Sequence, residues 1–403
     1  MLALHVASIA YKAHSVAMIL PRSRLRYPFI VPSPPRLSDH APALLALEAS
    51  GHYSNFGPLN TRFEHEVVAR LFAGRGAATT VANATLGLML AIRHAVDRLV
   101  PSPRRTVAIL PSFTFAATAH AALWCGLELA FCDVDPHTWT LDLACLDALL
   151  DAHGDRTAVV IPYATFGNAL PLAPYDAILA RRGVPVVVDA AASLGAATAD
   201  GVPFGAGSGH RIVCSMHVTK TFSTGEAGLV YSADVESIRE LRRMSNFGFD
   251  ERREVCAIGL NAKLSEHGAL LCLAMLDRIG EVVAHRNALH DVYVESTRLE
   301  VPRNDGFRGT HQFFAAALPR ALAPQRDRLV QALAARGVEA RTYFAPPLHL
   351  QRFFSARVGP VSLPATEDLA RRVLSLPLHD TMSADDVRAI AAIVDESVAE
   401  LGP

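Results

Sequence analysis

Lysine is nearly absent from this chain of 403 residues, occurring only at Lys12, Lys220 and Lys263; every other basic side chain is arginine. Arginine keeps its proton at any working pH, so chemistry that needs a free amine has three candidates. Such scarcity is ordinary for a GC-rich coding sequence, but it narrows the search. An excess of charge is missing too: 38 Lys and Arg balance 39 Asp and Glu, for a net charge of −1. That balance argues against a nucleic-acid partner or an anionic membrane surface, either of which calls for a basic face. The six cysteines show no C-x-x-C spacing and stand in apolar surroundings. They read as reduced core residues rather than a zinc site or disulfide frame, so no metal and a cytoplasmic location are expected. No uninterrupted apolar run approaches the ~18–20 residues of a membrane span. The mildly apolar stretch Met1–Leu20 contains Lys12 and two histidines and lacks the basic start of a secretory signal. Met18 is an alternative start, which would make Met1–Ala17 an extension. Internal repeats and low-complexity tracts are also missing.

What is present is enough apolar residue (51%, against 19% charged) to bury a large core. The length suggests two or three folded units. After a Pro-rich entry from Pro28 to Pro42, short β-branched runs alternate with longer amphipathic ones. Helices are expected at Ala84–Leu99, Phe115–Cys125, Leu141–Ala152 and Pro174–Arg182. Strands are expected at Thr106–Pro111, Leu129–Asp133, Ala158–Pro162 and Val184–Val188. Unbroken apolar strands alternating with helices indicate a mostly parallel sheet covered on both faces. Ile212–Met216 and Gly228–Ser232 read as two more strands with no long helix between them. A long helical pattern runs from Lys263 to about Leu299, with Gly268 and Gly280 as weak points. Then follow a strand at Gln312–Leu318, a helix at Gln325–Arg336 and a strand near Val338–Tyr343. A last helix starts at Ser383, where Asp386 three residues on resembles a capping box. The expected organisation is an N-terminal extension (1–40), a large α/β domain (41–275) and a smaller α+β domain (276–403).

In such a sheet, ligands gather at the carboxyl ends of the strands. Asp189 follows one expected strand, Ser215 and Lys220 follow another, and Ser112, Phe113 and Phe115 follow a third. Asn83-Ala84-Thr85 opens a helix, where exposed N–H groups suit a phosphate. Taken singly, each has an ordinary reading: a helix cap, a solvated charge, a core aromatic. Together they supply a lysine, a strand-end carboxylate, an aromatic plate and a phosphate cradle. Pyridoxal phosphate (PLP) needs all four.

At these residues the chain resembles the PLP-dependent sugar aminotransferases of the DegT/StrS type, which have the type I, aspartate-aminotransferase fold. The resemblance runs from about Phe56 to Leu401. Its pieces are Gly57-Pro58-Leu59 with Phe63-Glu64, then Asn83-Ala84-Thr85, then Pro111 to Thr118, and Phe131-Cys132-Asp133-Val134-Asp135. Next come Val188-Asp189-Ala190-Ala191, and Ser215 to Lys220 leading into Gly225-Glu226-Ala227-Gly228. Gly259 to Glu266 and Tyr343 to His349 complete the set.

The resemblance implies roles. Lys220 would hold the cofactor through its ε-amine and then move a proton between substrate and cofactor carbons. Asp189 would pair with the ring nitrogen and Phe115 would stack on the ring. Thr85, Leu86 and Ser215 would hold the phosphate. Asn261 would reach that phosphate from a neighbouring subunit, making a homodimer with an active site shared across its interface. His349 would border the substrate pocket. Lys263 is the weaker lysine candidate, since it sits in a helical pattern with no strand end before it, and Lys12 precedes the expected fold. Two positions depart from the family: Ala192 stands where Gln or His is usual, and Ala164 where a histidine is common. The implied activity moves an amino group from an amino acid, with glutamate the expected donor, to a keto-sugar or a related ketone or aldehyde. The sugar would be nucleotide-linked and the product would serve polysaccharide or secondary-metabolite synthesis. The two alanines keep open a non-catalytic PLP-binding regulator, or another type I PLP reaction on a smaller carbonyl compound.

Overall fold

The computed structural model describes residues 25–99, 105–304 and 306–401. The expectations for Met1–Leu20, Lys12 and Met18 fall outside them. Helices α1 (Ala41–Ser50) and α2 (Pro58–Leu71) lead into strand β1 (Ala77–Val81) and helix α3 (Ala84–Asp97). Then come β2 (Val107–Pro111), α4 (Ala116–Trp124), β3 (Glu128–Cys132), α5 (Leu143–His153), β4 (Thr157–Val160), α6 (Ala173–Arg182) and β5 (Val187–Asp189). Strands β6 (Arg211–Ser215) and β7 (Gly228–Ser232) follow, with helix α7 (Val235–Met244) behind them.

The strands form one sheet in the order β3-β2-β4-β5-β6-β7-β1, with β4 joined to β5 through the parallel bridges Val160–Val186 and Tyr163–Asp189. Strand β7 runs antiparallel to both neighbours, β6 and β1; the other pairings are parallel. This explains why no helix separates β6 from β7: an antiparallel return needs only a loop, whereas a parallel one needs a crossover. Alternate residues of each strand feed opposite cores. Ile109, Val188, Ile212 and Tyr231 face α2, α5, α6 and the helix that follows α7, while Leu110, Val187, Val213 and Val230 face α3, α4 and α7. Both faces are apolar, as the unbroken β-branched runs require.

That next helix, α8 (Glu266–Ser296), is continuous through Gly268 and Gly280. A helical glycine costs only about 1 kcal/mol relative to alanine, which the buried stripe Leu270, Leu273, Leu276 and Ile279 outweighs. At about 46 Å on helical rise, α8 reaches from the main core to a third one. There Leu289 and Tyr293 meet strands β8 (Phe314–Ala317) and β9 (Val373–Leu376), which pair antiparallel. Around them lie α9 (Arg326–Ala335), α11 (Pro364–Arg372) and α12 (Ala384–Leu401), while α10 (Arg352–Val358) returns to the main sheet, where Phe354 packs on Phe131 of β3. The box before α12 is present: Ser383 N–H donates to Asp386 Oδ2 (2.9 Å), and Asp386 N–H to Ser383 Oγ (3.2 Å). The strand expected near Val338–Tyr343 does not form. Val338 bridges Tyr27 and Arg341 bridges Ser375, one contact to each side and no ladder. Tyr27 and Phe29, within the segment read as an extension, are buried in the cores. Among the described residues no helix is long and apolar enough to cross a membrane.

Several residues of the motifs that carry the resemblance secure the scaffold. The buried carboxylate of Glu266, first in α8, accepts from the amides of Leu59 (2.8 Å) and Asn60 (2.9 Å), serving the open start of α2. Gly57 keeps that approach possible, since a Cβ there would lie 2.6 Å from Glu266 Cδ. Asp133 does the same for α11 through the amides of Ala365 (3.0 Å) and Thr366 (2.7 Å). Glu266→Ala strands two amides in the interior and is expected to lower stability by about 1–3 kcal/mol, read as a lower urea midpoint against wild type.

Candidate active site

The topology places four strand ends on one edge of the sheet. Parallel β2, β5 and β6 finish there at Pro111, Asp189 and Ser215, and β1 finishes there at Val81. Antiparallel β7 starts there, with Gly228 paired to both Ser215 and Val81. A Cβ on Gly228 would lie 2.7 Å from the Ala84 amide, so only glycine lets β7 meet the start of α3. The edge collects Asn83–Leu86, Phe115, Asp189, Ser215 and Lys220, residues separated by up to 137 positions in sequence yet brought to one side by strand direction.

Asp189 is buried at the end of β5. Its Oδ2 accepts from Thr118 Oγ1 (2.6 Å) and its Oδ1 from the Ala191 amide (3.1 Å). Thr118 spends its single proton on that carboxylate, so the 3.0 Å contact between the hydroxyls of Thr114 and Thr118 has Thr114 as donor. Burial raises the Asp189 pKa, while Thr118, Ala191 and the charge of Lys220 oppose the rise. Lys220 shows the mirror effect: burial lowers its pKa to about 8, and Asp189 pulls it back up. The amine is therefore partly unprotonated near neutrality. The loop carrying it is tied down by its backbone, Lys220 N–H donating to His217 O (2.8 Å) and Val218 N–H to Gly225 O (2.8 Å).

Phe115 is the N-cap residue of α4 and leaves its ring 61% exposed, whereas Phe113, two residues earlier, is wholly buried. An aromatic on an amphipathic helix normally faces the core; this one is exposed, with Phe344 as its ring neighbour at 6.5 Å. At α3, Asn83 Oδ1 accepts from the Leu86 amide (3.0 Å). The amides of Ala84 and Thr85, which have no acceptor within the helix, remain for an anion. Ser215 is buried; its Oγ accepts from His217 N–H (3.2 Å), which uses the oxygen but not the hydroxyl proton.

Two predicted residues lie differently. Asn261 is exposed, its Oδ1 accepting from Lys263 Nζ (2.7 Å), and its neighbour Ala262 accepts from the Ala82 amide through its carbonyl (2.7 Å). His349 is enclosed: its ring meets Ser112 Oγ at Nδ1 (2.7 Å), and Nε2 lies 3.5 Å from Glu367 Oε1. The side chain is fully buried, and Nε2 makes no hydrogen bond. Lys263 lies before α8 rather than within it, because Ser265 caps the helix by accepting from Gly268 N–H (3.2 Å). Its ammonium sits 4.7 Å from the Phe247 ring centroid. Ala164 and Ala192 are both buried.

The structure adds residues that the sequence reading passed over. Thr114 and Thr118, four apart across a helix start, had a signal in that spacing. Gln312, whose Oε1 accepts from Lys220 Nζ (3.1 Å), had none, since it arrives from beyond α8. The assembled donor set suits PLP: an amine of lowered pKa, a buried carboxylate held as an acceptor, an outward aromatic face, and helix-start amides beside a serine. Among the described residues no cluster of three His, Cys, Asp or Glu side chains is placed to hold a metal ion.

The sequence profile of the DegT/DnrJ/EryC1/StrS aminotransferase family matches residues 37–395. A solved structure from Bacillus cereus ATCC 10987, assigned as a PLP-dependent aminotransferase, superposes with a TM-score of 0.86 at 34% identity, covering 92% of this chain and 99% of that one. The structure of DesI with its TDP-sugar product gives 0.80 at 32% identity, covering 92% and 93%. The UDP-N-acetyl-3-dehydro-alpha-D-glucosamine 3-aminotransferase of Acidithiobacillus ferrooxidans is 30% identical over 316 residues, which is 78% of this chain and 82% of that protein.

The electrostatics of the site give a direct expectation. In the cofactor-free chain, trace acetylation of Lys220 with acetic anhydride, followed by peptide mass spectrometry across pH, should show a midpoint near pH 8. Asp189→Asn removes the one charge that raises this pKa, so the midpoint should fall below that of wild type.

Proposed function

Because the chain belongs to the DegT/DnrJ/EryC1/StrS aminotransferase family, we propose that it is a PLP-dependent transaminase acting on a nucleotide-linked keto-sugar, with glutamate as amino donor. The observation that carries this reading is that Lys220 and the buried carboxylate of Asp189 come to one edge of the sheet, near enough for each charge to shift the other's proton affinity. A protein that only bound the cofactor would need no amine tuned toward neutrality. The TDP-sugar product of DesI and the UDP-sugar substrate of the Acidithiobacillus enzyme support a nucleotide sugar over a smaller carbonyl compound.

PLP supplies an aldehyde that condenses with amines and a ring that withdraws electrons from the carbon carrying the amine. The chain's residues divide the remaining work. Asp189, held by Thr118 and Ala191, would partner the ring nitrogen when the cofactor is bound; the Thr114–Thr118 relay holds the carboxylate in place. Thr85 and Ser215 would hold the phosphate at the start of α3, where the Leu86 amide expected to join them is instead taken by the Asn83 cap, and Phe115 would cover one ring face and exclude water from it. Lys220 Nζ gives and takes the proton as the amine passes between substrates, a task suited to a pKa near working pH. Because donor and acceptor are bound in turn, the order is ping-pong.

Asn261 completes the phosphate site from a second copy of the chain in this proposal, so the working unit is a homodimer. Its exposure, in a loop where Phe247, Val255 and Ile258 are also exposed, supports that reading.

Two measurements test the proposal. Glutamate added to the PLP-loaded chain should move the absorbance from near ~420 nm to near ~330 nm, and a nucleotide keto-sugar should reverse it. Lys220→Ala should show neither change; no response of the wild type to any amino donor would sink the transaminase reading. Lys220→Ala and Asn261→Asp should each be inactive alone. Unfolded together and refolded in equal amounts, they should regain roughly a quarter of wild-type activity, since half the dimers are hybrids with one intact site. No recovery would place Asn261 in its own chain's site.

A further inference from the structure

We propose that Gln312 is a positioning residue that holds the amine of Lys220 by one N–H through a neutral acceptor. The inference rests on the transaminase reading for its purpose, but not for its geometry. Among the described residues the one hydrogen bond of Lys220 Nζ is to Gln312 Oε1, at 3.1 Å. The amide's orientation follows from its other end. Gln312 Nε2 faces the carbonyl of Thr219 at 3.4 Å, and a carbonyl only accepts, so the NH2 lies there and the oxygen faces the lysine.

The platform beneath Gln312 is fixed at each residue. Thr310 Oγ1 donates to the carbonyl of Ala192, and Thr310 N–H donates to that of Gly167 (2.9 Å). A Cβ on Gly167 would lie 2.5 Å from the Thr310 hydroxyl, so only glycine admits this docking. His311 takes the left-handed backbone conformation (φ 48°), which turns the chain so that Gln312 N–H donates to Phe166 O (3.0 Å). From α8, Arg286 donates to the carbonyls of His311 (3.0 Å) and Gln312 (3.2 Å) and is itself held by Asp380 (2.7 Å). Ala192, beside this loop, brings only a methyl group. The polar partner of the lysine therefore comes from the 309–312 loop, carried by the third core rather than by the sheet.

An amide suits this task better than a carboxylate. Its oxygen accepts an N–H from Lys220 whether the nitrogen is an ammonium or a free amine, so it orients the group without fixing the proton there. A carboxylate at the same place would stabilise the ammonium and remove the base. The other charged or titratable groups facing this space are Asp189 from the sheet, Arg286 from α8, and His379 and Asp380 from the segment after β9.

The test reads the amine itself in the cofactor-free full-length chain, so it stands apart from turnover. Lys220 is trace-labelled with acetic anhydride across pH, with Lys263 as internal reference, in wild type, Gln312→Glu and Gln312→Leu. Gln312→Glu, nearly the same shape, should raise the midpoint by about one to three pH units. Gln312→Leu should lower it, since the ammonium loses its hydrogen bond. In the PLP-loaded enzyme Gln312→Glu should lower kcat at neutral pH, move the rate profile to the alkaline side and leave the donor KM within about twofold. Midpoints unchanged in Gln312→Glu, or shifted in the same direction in both variants, would overturn the proposal. Shifted midpoints with no response to glutamate would instead retain Gln312 as the holder of the amine and reject the transaminase function.

Discussion

The site depends on an amine and a carboxylate sharing a buried corner of the fold. Lys220 and Asp189 each pay for burial, and each reduces the other's cost: the carboxylate holds the amine's proton affinity up, and the ammonium holds the carboxyl's down. Removing one would leave the other as an uncompensated buried charge. The balance leaves the lysine with a pKa of about 8, where it exchanges a proton readily. Nearby features serve to keep that balance fixed. Thr118 and the Ala191 amide each donate to one oxygen of the carboxylate, and Gln312 receives the amine.

Strand direction makes the corner possible. Because β1, β2, β5 and β6 run one way, their ends deliver the start of α3, Phe115, the Asp189 carboxylate and the Lys220 loop to the same edge. The antiparallel return of β7 then seats Gly228 against the start of α3. Motif residues around this edge turn out to be of two kinds. Some face the site. Others serve distant helix starts: Glu266, given room by Gly57, accepts from the amides that open α2, and Asp133 from those that open α11.

Much of this was legible in the residues. The apolar β-branched runs gave the buried strands, and the residues after them gave Asp189, Ser215 and Lys220. The capping box at Ser383 was readable because it is made within four residues. Phe115 was ambiguous, since a helix-start aromatic faces core or solvent according to what lies above it. His349 looked like a pocket residue, but long-range contacts with Ser112 and Glu367 enclose it. Val338–Tyr343 had strand composition and lacked a partner along its length. Lys263 looked helical until Ser265 capped the helix after it.

The chain's residues by themselves determined the alternation of strands and helices and the strand-end placement of Asp189 and Lys220. Those follow from local periodicity and from which side chains possess a given chemistry. Only the tertiary structure decided that Thr118 guards Asp189, that Glu266 serves α2, and that Gln312 meets Lys220 from 92 positions away. A hydrogen bond across such a separation requires two surfaces to meet at about 3 Å. Spacing within one segment carries no information about where a distant loop will dock.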